Sequence, residues 1–136
     1  MVVKKYDYLP SEAIDIRTKV FVFEQGFTDE IDDIDATALH FLAFCEGIAV
    51  GTCRAFKTNE GYILGRLAVL KQYRKKGVGS TLLKFAENCI LNLGFNSLVL
   101  HSQIDAVKFY ENCGYQKFGE IEYEQGCPHI WMKKKF

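Results

Sequence analysis

The sequence has no excess of charge of either sign, because 17 lysines and arginines balance 17 aspartates and glutamates. A chain without net charge has no long-range field that would draw it to nucleic acid or to an anionic membrane, so we expect neither partner. Long apolar runs are also missing, and the first residues carry charge. The sequence therefore predicts no membrane anchor and no signal peptide.

Paired cysteines are missing as well. The five cysteines are odd in number, lie far apart and include no Cys-x-x-Cys pair. This spacing argues against a disulfide framework and against a zinc site, and we expect no metal. It favours a reducing compartment, for which the cytoplasm is the default expectation.

Repeats, linkers and low-complexity tracts are equally absent from the 136 residues. A hydrophobic fraction of 49% with 25% charged residues is typical of a globular protein with one core. The composition therefore predicts a single domain over residues 1–136.

The central stretch runs from Gly65 to Thr81 and has the pattern of a phosphate-binding strand, loop and helix. An apolar run ends in the basic turn Arg74-Lys75-Lys76, and Gly77 and Gly79 follow. The first N–H groups of a helix have no intrahelical partners, and glycine lets a ligand approach the backbone closely. The glycine spacing matches neither a Walker A loop nor a dinucleotide fingerprint. The sequence thus predicts a phosphate-binding site that belongs to neither of these two classes.

A helix is expected directly after this loop. Apolar residues recur at helical spacing from Val78 to Leu93, and Gly94 supplies a C-terminal stop. The following run, Leu98 to His101, is a buried type of strand, which a crossover helix would place parallel to the strand before the loop. Asp105 begins a short predicted helix through Cys113.

The N-terminal half predicts a short strand around Val2–Tyr6 and a helix from Pro10 to about Phe23. The apolar face of this helix would contain Ala13, Ile16, Val20 and Phe23. The acidic segment at 29–35 has two interpretations, a solvated surface or an arm that attracts a cationic amine. Three antiparallel strands are expected next, followed near the end of the chain by two closing strands, at 39–45, 48–56, 62–70, 115–118 and 129–133.

Two motifs resemble those of one family. Residues 74–79 resemble the Gln/Arg-x-x-Gly-x-Gly/Ala signature of the GNAT superfamily of acyl-CoA-dependent N-acetyltransferases. Residues 103–115 resemble a second GNAT stretch, Asn-x-x-Ala-x-x-Phe-Tyr-x-x-x-Gly-Phe/Tyr, with Gln103 in the place of the asparagine. The N-terminal half is similar to the YjcF/ElaA-like branch, and the resemblance covers essentially the whole chain.

The resemblance implies an α/β (α+β) fold, namely a single-domain GNAT fold. Its central sheet would be mixed and mostly antiparallel, with a splayed parallel strand pair and flanking helices. Acetyl-CoA would be the acyl donor. Its pantetheine arm would lie along Leu67, Ala68 and Val69, and its pyrophosphate and remaining parts would contact Arg74, Lys75, Lys76, Gly77, Val78, Gly79, Ser80, Gln103, Ala106, Phe109 and Tyr110.

The resemblance also implies direct transfer of the acetyl group to a primary amine, which is almost wholly protonated at neutral pH and must lose a proton. Many relatives carry a glutamate for this purpose on the strand at 62–70, which has no acidic residue here. Glu24, His40 and His101 are the candidate proton acceptors, and Tyr110 is the candidate acid for the leaving thiolate. The acceptor would contact Glu24, Gln25, Glu30, Asp32 and His129.

Other functions compete with this one. An acyl-CoA-binding regulator without turnover fits the missing strand glutamate. A nucleic-acid binder would use residues 71–76, and a cysteine enzyme would use Cys45, Cys53 or Cys127 beside a histidine. The acceptor, a small-molecule amine or a protein lysine, stays open, as does formation of a homodimer.

Overall fold

A computed structural model describes residues 1–28 and 31–136, in which seven strands form one sheet. The strands are β1 (Val2–Tyr6), β2 (Leu39–Cys45), β3 (Ile48–Thr58), β4 (Gly61–Val69), β5 (Ser97–Gln103), β6 (Gln116–Glu124) and β7 (Cys127–Lys135). Their order across the sheet is β1-β2-β3-β4-β5-β7-β6, and β4–β5 is the parallel pair among antiparallel neighbours. The predicted mixed, mostly antiparallel sheet is confirmed.

The helices are α1 (Ser11–Arg17), α2 (Asp33–Thr37), α3 (Val78–Asn92) and α4 (Val107–Asn112). A π-helical segment, Thr18–Glu24, continues α1, and short 3₁₀ turns at Lys71–Tyr73 and Ile104–Ala106 precede α3 and α4. In the part of the chain that the structure describes, no helix has the length and apolar character needed to cross a membrane.

Strand alternation gives the sheet two apolar faces. On one face, Phe41 and Ala43 of β2 pack with Leu82 and Ile90 of α3. On the other face, Leu42 of β2 and Ala68 of β4 pack with Ala13, Ile16 and Val20 of α1 and its π-helical continuation. Because successive side chains point to opposite faces, neighbours such as Leu42 and Ala43 belong to different cores.

Strands β4 and β5 separate halfway along their length. Their parallel register runs from Tyr62–Leu98 to Leu64–Leu100 and then ends. Beyond that point β4 stays paired with β3, and β5 stays paired with β7. The β3–β4 register shifts opposite Arg66, which has a positive φ of 54°. The predicted splayed pair is therefore confirmed, and a β-bulge in β4 lies beside the splay.

The N-terminal helix differs from the prediction at its end. In the π-helical turn Gln25 N donates to Val20 O at 3.1 Å, five residues back, whereas an α-helix pairs residues that are four apart. This rotates the following residues out of the predicted face, so that Phe23 is 78% exposed while Val20 is buried. The prediction that Phe23 shares the buried face was wrong.

The acidic segment holds a helix that the sequence did not predict. Asp32 and Asp35 form a reciprocal capping box at the start of α2. Asp35 is 1% exposed and accepts hydrogen bonds from Arg17 (2.9 and 3.1 Å) and Arg54 (2.8 Å). It is thus neither a solvated residue nor part of an open arm. The closing strands β6 and β7 are also longer than predicted.

Candidate active site

A cavity of about 610 Å³ lies at the splay of β4 and β5. Its walls include Leu64, Leu100 and Tyr110, which belong to the core on the α3 face. They also include Phe21, which packs against the α1 core, and His101, whose side chain points away from that of Leu100. The cavity therefore passes through the sheet, in the gap that the missing β4–β5 pairing leaves.

The glycine loop meets the α3 N-terminus as the sequence predicted. Gly77 is the N-cap with a φ of 81°, a left-handed conformation that favours glycine. No side chain of the described residues caps the N-terminus of α3, so the first N–H groups of this helix are available to an anionic ligand. At Gly79 an added Cβ would lie 3.2 Å from Phe109 Cζ, which places the second family motif directly against the first.

Arg74 lies just beyond the C-terminal end of β4 and binds Glu24. Its Nε donates to Val69 O at 2.9 Å, and its two terminal nitrogens contact the Glu24 carboxylate, one of them at 2.6 Å. The hydrogen bonds from Arg74 lower the pKa of Glu24. A general base for neutral pH needs a pKa nearer 7, so this environment makes Glu24 a poor proton acceptor.

His40 does not line the cavity. Its ring is 1% exposed, and Nε2 lies 2.9 Å from Asp35 O beneath α2. Burial lowers the pKa of His40 and keeps the ring neutral. The structure therefore gives His40 a place in the packing of α2 against β2, outside the lining of the cavity.

His101 and Tyr110 both line the cavity. Tyr110 is 8% exposed, and burial raises its pKa far above the ordinary value, so that its hydroxyl carries a proton at neutral pH. His101 stacks on Trp131 with ring centroids 4.4 Å apart. Its Nδ1 lies 3.2 Å from a Glu124 oxygen, and its buried Nε2 has no hydrogen-bond partner in the described part of the chain.

The segment that follows the π-helix forms one wall of the cavity. Gln103 Nε2 donates to Gln25 Oε1 at 3.0 Å, across the splay. Thr28 and Gln125 exchange backbone and side-chain hydrogen bonds of 3.0 and 3.1 Å. The predicted acceptor residues Gln25, Asp32 and His129 line the cavity, and Glu30 lies outside the described residues.

The cavity residues that the sequence analysis missed include the polar and aromatic side chains Arg54, Glu122, Glu124 and Trp131. Glu122 and Glu124 lie on β6, beyond the predicted end of that strand at Phe118. The alternation Glu120-Ile121-Glu122-Tyr123-Glu124 was the signal that could have found them, since period-two patterns indicate a strand.

The profile of a family described as acetyltransferase (GNAT) domain matches residues 8–136. The chain belongs to the GNAT acetyltransferase family. Among its relatives, the N-acetyltransferase YjcF of Bacillus subtilis is 33% identical over 137 residues, covering 98% of this chain and 97% of YjcF. The crystal structure of Escherichia coli ElaA superposes with a TM-score of 0.83 at 26% identity, covering 98% of this chain and all of ElaA.

A third comparison is with an aminoglycoside 6′-N-acetyltransferase, solved in complex with coenzyme A. It has a TM-score of 0.77 at 18% identity and covers 99% of this chain and 97% of that one. Likeness at this identity shows the shared fold. Family membership confirms the predicted acyltransferase class of this GNAT protein.

Proposed function

We propose that this GNAT protein transfers an acetyl group from acetyl-CoA directly to a primary amine. The observation that carries the proposal is the cavity through the sheet, whose walls come from both faces. A donor bound in the splay and an acceptor entering from the α1 face could occupy this gap at the same time, with their reacting groups in contact. Direct attack needs such a simultaneous arrangement of both reactants.

The donor would occupy the splay and the α3 N-terminus. Backbone groups of Leu67 that have no partner strand on the β5 side can pair with the two amides of an extended pantetheine arm. The pyrophosphate would bind the N–H groups at residues 75–80, where Gly77 and Gly79 leave the backbone open. Coenzyme A in the solved aminoglycoside acetyltransferase complex of the same fold supports this assignment.

The two proton transfers fall to His101 and Tyr110. His101 Nε2 would take a proton from the acceptor ammonium, which makes the amine a nucleophile. Attack on the thioester carbonyl forms the amide and releases the thiolate. Tyr110, whose buried hydroxyl is protonated at neutral pH, would give its proton to that thiolate, and the second proton that the nitrogen loses on becoming an amide would pass through water to restore the Tyr110 hydroxyl. Glu122 and Glu124, each more than half exposed, give the acceptor wall negative charge that attracts a cationic amine.

The cysteine mechanism has less support. Burial raises the pKa of Cys53 far above its usual value and also raises that of Cys127, so that both thiols stay protonated. Because the thiolate is the nucleophile, neither is suited to carry the acetyl group. The regulator without turnover differs from the enzyme in one measurable property, the release of free coenzyme A.

The test is acetyl-CoA consumption across a panel of primary amines, with mass spectrometry of the products. We expect an N-acetylated amine and one equivalent of coenzyme A. The initial rates should follow a sequential mechanism, in which both reactants bind before any product is released. Tight binding of acetyl-CoA with no turnover on any amine would favour the regulator. An acetylated cysteine trapped in the absence of amine would favour the covalent mechanism.

A further inference from the structure

We infer that Glu124 and His129 position His101, so that the lone pair of its Nε2 faces the acceptor amine. Glu124 comes from β6, His129 from β7 and His101 from β5. The inference rests on the proposed function for the chemical role of His101. The arrangement of the three side chains is a property of the structure itself.

The protons of His129 follow from its two contacts. Its Nδ1 lies 2.9 Å from Cys127 O, and a carbonyl only accepts, so Nδ1 must carry a hydrogen. Its Nε2 lies 3.2 Å from Glu124 Oε2. A neutral ring protonated on Nδ1 would present a lone pair to that oxygen. When Nε2 also carries a proton it donates to Glu124 Oε2, and the His129 ring then supports the carboxylate that reaches His101.

The same oxygen of Glu124 reaches His101. Glu124 Oε2 lies 3.2 Å from His101 Nδ1, and the two histidine rings have centroids 5.0 Å apart. A carboxylate oxygen holds the hydrogen of a neutral imidazole on the nitrogen nearest to it. His101 is therefore protonated on Nδ1, and its lone pair is on Nε2.

Nε2 is buried and lacks a hydrogen-bond partner among the described residues. The nearest acidic atom is Glu122 Oε1, at 3.8 Å, which is too long for a hydrogen bond. Since the Glu122 side chain is 60% exposed, it can turn to admit an ammonium group. One ammonium hydrogen would then face Nε2 while Glu122 neutralises the charge. Trp131 stacks on the His101 ring and restricts its orientation.

The proton balance is simple. The acceptor N–H bond breaks and an Nε2–H bond forms, which leaves a free amine and an imidazolium. Glu124 stabilises that cation through Nδ1–H, as an orienting carboxylate does beside other catalytic histidines. When product has left, Nε2 returns its proton to water. The titratable and charged groups that face this site are Glu122, Glu124 and His129 around the ring and Asp32, Arg54 and Arg66 across the cavity.

Glu124→Ala tests the inference, with Glu120→Ala on the same exposed strand as the control. We expect kcat to fall by about ten- to hundred-fold for Glu124→Ala, as for loss of other histidine-orienting partners, with the KM for acetyl-CoA unchanged. The acidic limb of the pH–rate profile should move to lower pH, because the imidazolium loses its carboxylate. An unshifted limb would contradict a positioning role.

A second measurement does not depend on turnover. Nitrogen-15 NMR of the imidazole rings in the intact protein reports which nitrogen carries hydrogen. We expect the Nδ1–H form of His101 in the unaltered protein and in Glu120→Ala, and its loss in Glu124→Ala. The Nε2–H form in the unaltered protein would overturn the inference. If no amine is acetylated but the Nδ1–H form is found, the proposed function fails and the positioning of His101 stands.

Discussion

The ring of Phe109 occupies the space into which a side chain at Gly79 would project, at 3.2 Å from an added Cβ. Gly79 therefore serves contact between α3 and α4 as well as ligand access to the loop. Gly77 differs, because an added Cβ there meets only Ser80 Oγ, at 3.9 Å. Substitution of Gly77 thus separates the requirement for an open backbone from the packing of Phe109.

Gly77→Ala should weaken acetyl-CoA binding and lower stability by roughly 1–2 kcal/mol, since its φ is 81°. Gly94→Ala is the matched control, with a φ of 98° and open space at the other end of α3. We expect both variants to lose similar stability. Thermal shifts on adding acetyl-CoA should shrink for Gly77→Ala alone, because a ligand stabilises the folded state according to its affinity. Equal shifts in both variants would remove Gly77 from the donor site.

Tyr110→Phe should lower turnover by about ten- to thousand-fold, the range for loss of a positioned acid when water can substitute in part. The fold and acetyl-CoA affinity should be kept, because the buried ring remains. Tyr115→Phe is the control, since Tyr115 is also buried and donates to Glu87 at 2.8 Å. It should lose about 1.5–3 kcal/mol of stability with turnover per folded molecule unchanged. Melting temperature and rate are measured on the same preparations, and full activity of Tyr110→Phe would leave Tyr110 a packing role only.

Glu24→Gln distinguishes a base from a partner of Arg74. The Arg74 contacts lower the pKa of Glu24, so we expect kcat to stay within a few-fold of the original value. The variant should bind coenzyme A more tightly at low salt, because Arg74 keeps its charge while losing its carboxylate. Asp15→Asn, an exposed α1 residue, removes the same charge elsewhere. A hundred-fold loss of kcat in Glu24→Gln alone would restore Glu24 as proton acceptor.

Asp35→Asn should destabilise the protein by about 3–5 kcal/mol, because the buried arginines Arg17 and Arg54 lose their shared carboxylate. Burial alone would raise the pKa of Asp35, but the hydrogen bonds from both arginines outweigh it and hold the pKa well below its usual range. A lowered pKa in the folded state adds stability above the unfolded value of about 4, which is lost as the pH falls further. Denaturant titrations from pH 7 to pH 2 should show a smaller pH dependence for Asp35→Asn than for the exposed control Asp33→Asn.

The parts of the fold that were predictable from sequence depend on local signals. The β2–β3–β4 meander followed from its turn residues, and α3 followed from its apolar spacing after Gly77. The Asp35 cluster was not predictable, because its partners Arg17 and Arg54 lie 18 and 19 residues away. The π-helical turn was not predictable either, since the apolar spacing fits an α-helix through Phe23, which the wider turn leaves exposed.

The site divides in the same way. The loop and the Tyr110 motif have short sequence patterns, so a sequence alone can predict them as site elements. The wall made by Glu122, Glu124 and Trp131 depends on how β5, β7 and β6 align, and no local pattern in β5 fixes that register. His40 and His101 both lie in predicted strands, and the sequence does not distinguish them. In the structure His40 is buried under α2, whereas His101 lines the cavity.

The early end of the β4–β5 ladder has a consequence for amide hydrogen exchange. Among the described residues, the N-terminal meander and the C-terminal strands pair in the sheet only from Tyr62–Leu98 to Leu64–Leu100, and the backbone beyond has one bonded side. An extended ligand in the gap would act as an eighth strand over that length and close an interior edge. The amides at 65–69 and 101–103 would then be better protected from hydrogen exchange when the donor is bound. A bound donor would supply the hydrogen-bond partners that the sheet lacks over this length.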